Sequence, residues 1–227
     1  MKYSIIIPAY NEEEGLEKTY KRVVKSNPNA EIILVDDGSK DNTWKKMKKL
    51  EKKRNTKIFG YKKNKGKAHA LKLGYSKAKN NIIVTIDSDC TYPPEEIPTL
   101  VKKLRKGNYD IVIGSRFMKG FPKDYSWKRA FANILGALVM SIILFHKITD
   151  VTTGLRAFTK EVANLPTRAR SLDYEAELTG RIISSGMKYA EVPIKTEQRF
   201  GMSKLHFFKS CWTFFIAVLR GAYYKKY

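Results

Sequence analysis

The chain has 227 residues, of which 43% are hydrophobic, so it is long enough for one large domain with a real core, and its composition excludes an intrinsically disordered chain. Lys and Arg number 44 against 22 Asp and Glu, and the net charge of +22 favours anionic partners such as nucleic acid, an acidic membrane surface or phosphorylated substrates. Cys90 and Cys211 have no metal-ligand spacing; they exclude a disulfide framework and indicate a reducing compartment.

Short apolar runs alternate with charged helical segments over the first half of the chain. The predicted strands cover residues 4–7, 32–35, 58–61, 82–86 and 111–113. The predicted helices cover residues 13–26, 43–54, 67–78 and 95–106. This alternation predicts an α/β fold with a mainly parallel central sheet flanked by helices, in one domain with appended segments.

Polar residues follow four of the predicted strands at the point where each strand ends. The first strand runs into "PAYNE" and the second into "DDGS", and the later ones run into "DSD" and "GSR". Ligands of open α/β sheets bind beyond the carboxyl ends of the strands, so four polar ends indicate a site there. A single cluster such as "DDGS" is also a good turn sequence by itself.

Asp87 and Asp89 are two carboxylates at i and i+2, directly after the fourth predicted strand. Side chains at that spacing point to the same side of a strand, and like charges so close repel each other. Carboxylate oxygens are hard ligands suited to Mg²⁺ or Mn²⁺, which would relieve the repulsion. The alternative is that one Asp caps the following helix while the other pairs with a lysine.

Two later segments are amphipathic, basic and rich in aromatic residues. Residues 127–147 carry an apolar stripe between basic ends, and residues 205–227 intersperse Phe, Trp and Tyr with lysines. Both are too short in their apolar runs to span a bilayer, so we expect them to lie in a membrane interface. The alternatives are a buried core helix for the first segment, and a tail that packs on the domain or pairs with another subunit for the second.

The opening run "KYSIIIPAY" lacks the pattern of a secretory leader. We therefore expect a cytoplasmic protein that does not cross the membrane and that associates peripherally with its cytoplasmic face.

Seven phrases in order closely resemble family 2 of the inverting glycosyltransferases with the GT-A fold. They are "SIIIPAYNEEEGL", "ILVDDGSKDNT", "NKGKAHALKLG", "VTIDSDCTYPPEEI", "IVIGSRF", "VTTGLRAF" and "RFGMSKL". The nearest branch is that of the dolichyl- or polyprenyl-phosphate sugar synthases, and the resemblance covers residues 2–205. It implies a GT-A catalytic domain over residues 1–204, including the helix at 127–147, followed by an interfacial tail over 205–227.

The resemblance assigns the residues of the donor site by position. Those expected to line the nucleotide pocket are Pro8, Tyr10 and Glu12. Val35 and Asp37 are expected to meet the base, with the Asp37 carboxylate accepting a hydrogen bond from a base N–H. The residues expected near the ribose, the metal ion and the phosphates are Gly66, Lys67, Asp87, Ser88 and Asp89.

The resemblance also assigns the phosphate-binding residues. Asp87 and Asp89 are the implied ligands of Mg²⁺ or Mn²⁺, with Asp89 the stronger candidate. The implied catalytic residues are Asp89, Arg116, Arg199 and Lys204, of which the three basic residues would bind the diphosphate and the acceptor phosphate. Arg129 and Ser203 are weaker candidates for the acceptor phosphate.

The implied activity is transfer of a hexose from a GDP- or UDP-sugar to dolichyl or polyprenyl phosphate, with inversion. Thr91 and Gln198 depart from the residues that GDP-mannose relatives commonly carry, so the base of the donor stays open. One alternative is a transferase acting on a saccharide or protein hydroxyl, with Asp150, Glu175 or Glu177 as general base.

A structural role for Glu175 and Glu177 is also open, namely a helix face bridged to Arg181. The remaining alternative for the whole chain is a non-catalytic basic module that binds membrane or nucleic acid. Nucleic acid is not expected as a partner, because the chain has no recognisable binding motif beyond its charge. The oligomeric state stays open.

Overall fold

The computed structural model describes residues 2–53, 55–122, 125–171, 173–197 and 207–224. Their strands are β1 (Ser4–Ala9), β2 (Glu31–Asp36), β3 (Thr56–Gly60), β4 (Ile82–Thr85), β5 (Ile111–Ser115), β6 (Arg156–Thr159) and β7 (Tyr189–Pro193). The helices are α1 (Leu16–Ser26), α2 (Thr43–Glu51), α3 (Lys67–Lys77), α4 (Ile97–Lys106), α5 (Trp127–Leu144), α6 (Lys160–Ala163), α7 (Asp173–Ser184) and α8 (Phe207–Ala222). A short 3₁₀ turn, Pro94–Glu96, precedes α4.

The strands form one sheet in the order β3-β2-β1-β4-β6-β5-β7. Pairing is parallel between β1 and β2, β1 and β4, β2 and β3, and β5 and β7. Only β6 runs antiparallel to its neighbours within the described part of the chain, since it lies between β4 and β5. The predicted α/β fold with a mainly parallel sheet is therefore confirmed.

Helices cover both faces of the sheet, which is why its central strands are apolar on both sides. All six residues of β1 are buried. Successive strand residues point to opposite faces, so Ile5 and Ile7 pack against α1, α2 and α4, whereas Ile6 packs against α3. The second layer also contains buried residues of α5, α7 and α8.

The sequence located the early elements and missed the later ones. Four predicted strands match β1, β2, β4 and β5, and the predicted strand at 58–61 is displaced from β3, which begins at Thr56. The first helix begins at Leu16 rather than at residue 13, because residues 13–15 form a turn. β6, β7, α6 and α7 had not been predicted.

α5 turns one side toward the core, including Met140, and leaves a stripe of large apolar residues exposed on the other. Ala130 and Ala137 are buried against the domain. The residues of the predicted apolar stripe are instead between 45% and 96% exposed; they are Trp127, Phe131, Ile134, Leu135, Leu138, Ile142 and Phe145. The alternative of a buried core helix is therefore wrong. Phe145 ends the helix in a left-handed conformation with φ of 49°.

α8 packs on α7, so part of the predicted tail belongs to the core. Ala217 and Val218 are buried in the same layer as α7. Gly180 and Gly221 lie so close that a Cβ added to Gly180 would meet the Gly221 backbone at 2.7 Å. The other side of α8 leaves Phe215 45% exposed. The boundary at residue 204 stays a prediction.

Among the described helices, none combines the length and the hydropathy that a membrane span requires.

Candidate active site

The ends of β1, β2, β4 and β5 bring four of the predicted residues to one edge of the sheet. Tyr10, Asp37, Asp87 and Arg116 follow these strands, which all run in the same direction. Asp37 continues the pairing by donating its N–H to the Ala9 carbonyl at 2.8 Å. This edge is the one at which open α/β sheets bind ligands.

The predicted nucleotide pocket begins at the end of β1. Pro8 is buried in the strand, and Tyr10 and Glu12 are half-buried in the loop that follows. The Glu12 N–H donates to the Thr43 hydroxyl at 2.8 Å, which ties this loop to the start of α2. Val35, which was expected to meet the base, has no exposed surface.

The carboxylate of Asp37 organises the loop between β3 and α3. Its Oδ1 accepts hydrogen bonds from the Tyr61 hydroxyl at 2.5 Å and the Lys65 N–H at 2.8 Å. Its Oδ2 accepts from Asn64 Nδ2 at 2.9 Å and the Gly66 N–H at 3.0 Å. Burial and the adjacent Asp37 charge raise the pKa of Tyr61, so the phenol stays a donor. Asp37 therefore fixes the loop that leads into Lys67.

Lys67 links the fourth strand to α7. Its Nζ lies 2.7 Å from Asp87 Oδ1 and 2.7 Å from Glu175 Oε1. Burial by itself would lower the pKa of Lys67, but the two carboxylates outweigh it and raise that pKa above its ordinary value. The lysine is therefore charged, and it supplies a counter-ion for Asp87 within the protein itself.

The residues after Asp87 form a tight turn. Ser88 is buried, and its carbonyl accepts a hydrogen bond from the Thr19 hydroxyl at 3.1 Å. Asp89 is 7% exposed, and its Oδ1 accepts from the Thr91 N–H at 3.0 Å. Cys90, between Asp89 and Thr91, has a φ of 64°. The two aspartates therefore have different partners: Asp87 pairs with the Lys67 ammonium, whereas Asp89 accepts a hydrogen bond from the main chain of the turn.

Arg116 is held by an aspartate that lies far away in the sequence. Its Nε and Nη2 each lie 2.7 Å from an oxygen of Asp150. Nη1 donates to the Tyr125 hydroxyl at 2.9 Å, and Nη2 donates to the Thr152 hydroxyl at 2.7 Å. Burial alone would lower the pKa of Arg116, and the Asp150 charge raises it well above its usual range.

Part of the predicted phosphate site lies outside the described residues, namely Arg199, Ser203 and Lys204. Arg129 lies in the first turn of α5, and its side chain is likewise outside the described set. Their roles stay predictions.

An open apolar groove of about 700 Å³ begins next to Arg116. Phe117 lines it, and the centroid of the Phe117 ring lies 5.5 Å from Arg116 Cζ; α5 forms much of the groove's length. The large side chains that line it are Phe117, Phe121, Ile134, Leu138, Ile142 and Phe145. The edge of the sheet thus combines a charged cluster with an apolar surface that starts beside it.

Residues 4–165 match glycosyl transferase family 2. The chain belongs to this family. The match covers the six strands from β1 to β6 and the loops that carry Tyr10, Asp37, Asp87 and Arg116.

Curated relatives of this family 2 transferase include enzymes named for lipid-phosphate acceptors. It is 38% identical to the dolichol-phosphate mannosyltransferase of Pyrococcus furiosus over 169 residues, which are 71% of this chain but only 47% of that protein. It is 34% identical to the UDP-N-acetylglucosamine–dolichyl-phosphate N-acetylglucosaminyltransferase of Methanococcus voltae, over 85% of this chain and 84% of the relative.

The fold of the family 2 chain also matches solved structures. Glucosyl-3-phosphoglycerate synthase from Mycobacterium tuberculosis, crystallised with Mn²⁺, UDP-glucose and phosphoglyceric acid, superposes with a TM-score of 0.79. The match covers 99% of this chain and 81% of the synthase at 18% identity. This likeness identifies the fold as GT-A-like.

The acidic residues of this family 2 site fit a hard divalent cation. No group of three or more His, Cys, Asp or Glu side chains within the described ranges could enclose a metal ion. Asp87 and Asp89 supply carboxylate oxygens just after the end of β4. Mg²⁺ is commonly held by one or two carboxylates together with substrate phosphates and water, so the donor set matches that mode.

The sequence had named Glu175, Glu177 and Asp150 as acidic candidates, and it gave the correct partner for Glu177 but not for the other two. Glu177 pairs with Arg181 at 2.6 Å, as the structural alternative expected. Glu175 does not share that bridge, because its Oε1 binds Lys67. Asp150 binds Arg116. The helical spacing of four residues revealed the first pair, whereas the other two join distant segments of the chain.

Proposed function

We propose that the chain is an inverting, metal-dependent hexosyltransferase that moves a sugar from a GDP- or UDP-linked donor to a dolichyl or polyprenyl phosphate. The groove beside Arg116 carries this proposal, because an apolar surface that adjoins a phosphate-binding edge suits an acceptor with an anionic head and a hydrocarbon chain. The names of the curated relatives agree with it.

A phosphate acceptor also suits the state of the acidic residues. The anionic phosphate is already a nucleophile, so it does not need the strong general base that a hydroxyl requires. Asp150, Glu175 and Glu177 are each held by a cationic side chain. This pairing favours a reaction in which none of the three takes up a proton.

The chemistry is a single displacement at the anomeric carbon, which inverts its configuration. Negative charge develops on the departing diphosphate, and fixed cations close to it lower the energy of the transition state. Lys67 and Arg116 are fixed cations at this edge, each held by a carboxylate. A divalent ion held by Asp87 and Asp89 would supply further charge neutralisation at the diphosphate.

The exposed stripe of α5 supports peripheral association with a membrane. Its large apolar side chains face away from the core, and Trp127 at its start is 67% exposed. Amphipathic helices of this kind lie in the headgroup region, where aromatic residues are favoured. That position would let the acceptor stay in the bilayer while its phosphate reaches the edge of the sheet.

The test is transfer of labelled sugar to polyprenyl phosphate in the presence of Mn²⁺. Each common UDP- and GDP-hexose is supplied in turn, and the label is measured in the organic phase. Asp89→Asn should lower the rate by about two orders of magnitude, as should a chelator. Asp110→Asn is the matched control, because Asp110 binds the Lys188 N–H at 2.7 Å at the opposite end of β5.

Transfer from one donor that survives Asp110→Asn and is lost in Asp89→Asn would establish the reaction and name the sugar. Metal-dependent transfer to a water-soluble saccharide or phosphorylated acid, with no lipid product, would overturn the acceptor. A protein that binds no donor at any metal concentration would overturn the enzyme and favour a basic binding module.

A further inference from the structure

Glu175 is a buried carboxylate-bearing residue between the Lys67 ammonium and the Arg156 guanidinium, whose Nη1 donates to the Glu175 main-chain carbonyl at 3.1 Å. It lies in the first turn of α7 with its side chain only 3% exposed. Its neighbours in sequence, Tyr174 and Ala176, belong to the core. Oε1 binds the Lys67 ammonium, and Oε2 has no hydrogen-bond partner within the described chain. The contact with Lys67 is therefore the direct ion pair that the described chain gives to the Glu175 carboxylate.

Burial of such a group is expensive, which argues against a role in packing alone. Moving a carboxylate into the interior costs several kcal/mol even after relaxation, and one ion pair recovers only part of that cost. A glutamine of the same shape would bury no charge. The stability of the fold by itself would therefore not favour a charged glutamate over a glutamine at residue 175.

The same ammonium also pairs with Asp87, whose carboxylate packs closely on the backbone of Gly154. A Cβ added to Gly154 would lie 2.5 Å from Asp87 Oδ2, so the carboxylate packs directly on the glycine backbone. Asp87 Oδ1 also meets the Lys67 ammonium at 2.7 Å. The share of Asp87's charge that remains for a cation therefore depends on where the lysine is held.

We propose that Glu175 is a positioning residue that draws the Lys67 ammonium partly off Asp87, which keeps that carboxylate available to the divalent cation. The proposal rests on the metal-dependent function given above. Glu175, Asp87 and Lys67 together carry one net negative charge. Without the charge of Glu175 the lysine neutralises Asp87 alone, and the cation meets a weaker ligand.

Bound Mn²⁺ tests this role without any sugar transfer. The paramagnetic resonance signal of free Mn²⁺ is titrated against protein in the presence of UDP and, separately, GDP. Outer residues that orient a metal ligand typically change metal affinity 10- to 100-fold, so we expect Glu175→Gln to raise the half-saturating Mn²⁺ concentration about tenfold. Glu177→Gln is the matched control on the same helix, since Glu177 binds Arg181; it should leave that concentration unchanged.

Two further variants distinguish the positioning of Lys67 by Glu175 from a simple loss of charge or a loss of the fold. Glu175→Asp keeps the charge but shortens the reach to Lys67, and it should also weaken Mn²⁺ binding; it serves as well if Glu175→Gln does not fold. In a Lys67→Met background, Glu175→Gln should have no further effect on the half-saturating concentration, because the residue acts through the lysine.

Unchanged Mn²⁺ binding in folded Glu175→Gln would overturn the inference, as would equal weakening in Glu177→Gln or persistence of the effect without Lys67. Wild-type protein that binds no Mn²⁺ with either nucleotide would overturn both this inference and the metal-dependent function. An error in the lipid acceptor alone would leave all the expected Mn²⁺ results in place.

Discussion

The guanidinium of Arg116 donates two hydrogen bonds of 2.7 Å to the carboxylate of Asp150, and both side chains are almost wholly buried. Two more of its N–H groups bind Tyr125 and Thr152. Four of the five donors of Arg116 are thus used within the described part of the protein. A bound phosphate would meet a cation whose orientation is already fixed, which is what transition-state stabilisation requires.

Removal of the Asp150 charge should therefore damage the fold. Asp150→Asn leaves the Arg116 guanidinium buried beside a neutral amide, and breaking a buried pair typically costs about 3–5 kcal/mol. Urea denaturation measures the loss. Glu95→Gln is the control, because Glu95 pairs with Arg22 on the surface, where such pairs contribute about 1 kcal/mol or less. Equal losses in the two variants would contradict the importance of burial.

The strands that sequence located share one property, which is that each contains at least three consecutive Ile, Leu or Val residues. β6 was not predicted because it begins with Arg156, whose guanidinium is buried in the structure. That group donates to the carbonyls of Val151, Thr153 and Glu175. Nothing in the local sequence shows that carbonyl groups of other segments will accept hydrogen bonds from an arginine in a strand. From sequence alone, an arginine in a four-residue run therefore indicates a loop.

The candidate site likewise has residues that could be placed from the sequence and residues that could not. Asp37, Asp87 and Arg116 could be placed together from sequence because parallel strands end at one edge. The resemblance had also named Lys67, and pairing of an aspartate with a lysine was one of the alternatives. Glu175 could not be placed beside them, because it comes from a helix on a distant segment that only the packing of the domain brings to Lys67. The Lys67 ammonium relieves part of the repulsion that the sequence predicts at Asp87.

Asp37→Asn should loosen the loop before α3 and weaken donor binding. The amide retains one acceptor oxygen, so at least one of the contacts with Tyr61, Lys65 and Gly66 is lost. We expect the KM for the donor to rise about tenfold, with a smaller change in kcat, since a lost charged hydrogen bond costs about 1.5–3 kcal/mol. Asp36→Asn is the control, because the Ser39 N–H donates to Asp36 at the longer distances of 3.3 and 3.4 Å; a similar KM in both variants would contradict this role.

Gly66 must remain glycine for two separate reasons. Its φ is 94°, and a Cβ would collide with the Arg170 carbonyl oxygen. Gly66→Ala should destabilise the protein by more than the 1–3 kcal/mol or so of backbone strain. Gly120→Ala isolates the strain, since Gly120 has a φ of 105° and open space around its Cβ position. Thermal unfolding compares the two, and an equal decrease in Tm would rule out the collision.

The exposed stripe of α5 should determine vesicle binding. Replacement of Phe131, Leu138 and Ile142 by Ser removes large side chains that are each more than half exposed. We expect co-sedimentation with mixed neutral and anionic vesicles to fall at least about tenfold, because burial of each such side chain contributes about 1.5–3 kcal/mol. Val24→Ser, on α1, is the control for an exposed apolar residue elsewhere. Unchanged sedimentation of the triple variant would exclude α5 as the membrane contact.

Glu31 should make the fold sensitive to acid. Burial alone would raise the pKa of Glu31, but hydrogen bonds from the Lys79 N–H, Lys57 and Ser4 lower it below its ordinary value of 4.5. A carboxyl whose pKa is lower in the folded state contributes stability above its ordinary pKa and loses that stability as pH falls through the folded value. Glu31→Gln should cost about 1–3 kcal/mol at neutral pH. Denaturation at several pH values should show this difference shrinking below pH 4.5, and a difference that stays constant down to strong acid would contradict the role of the charge.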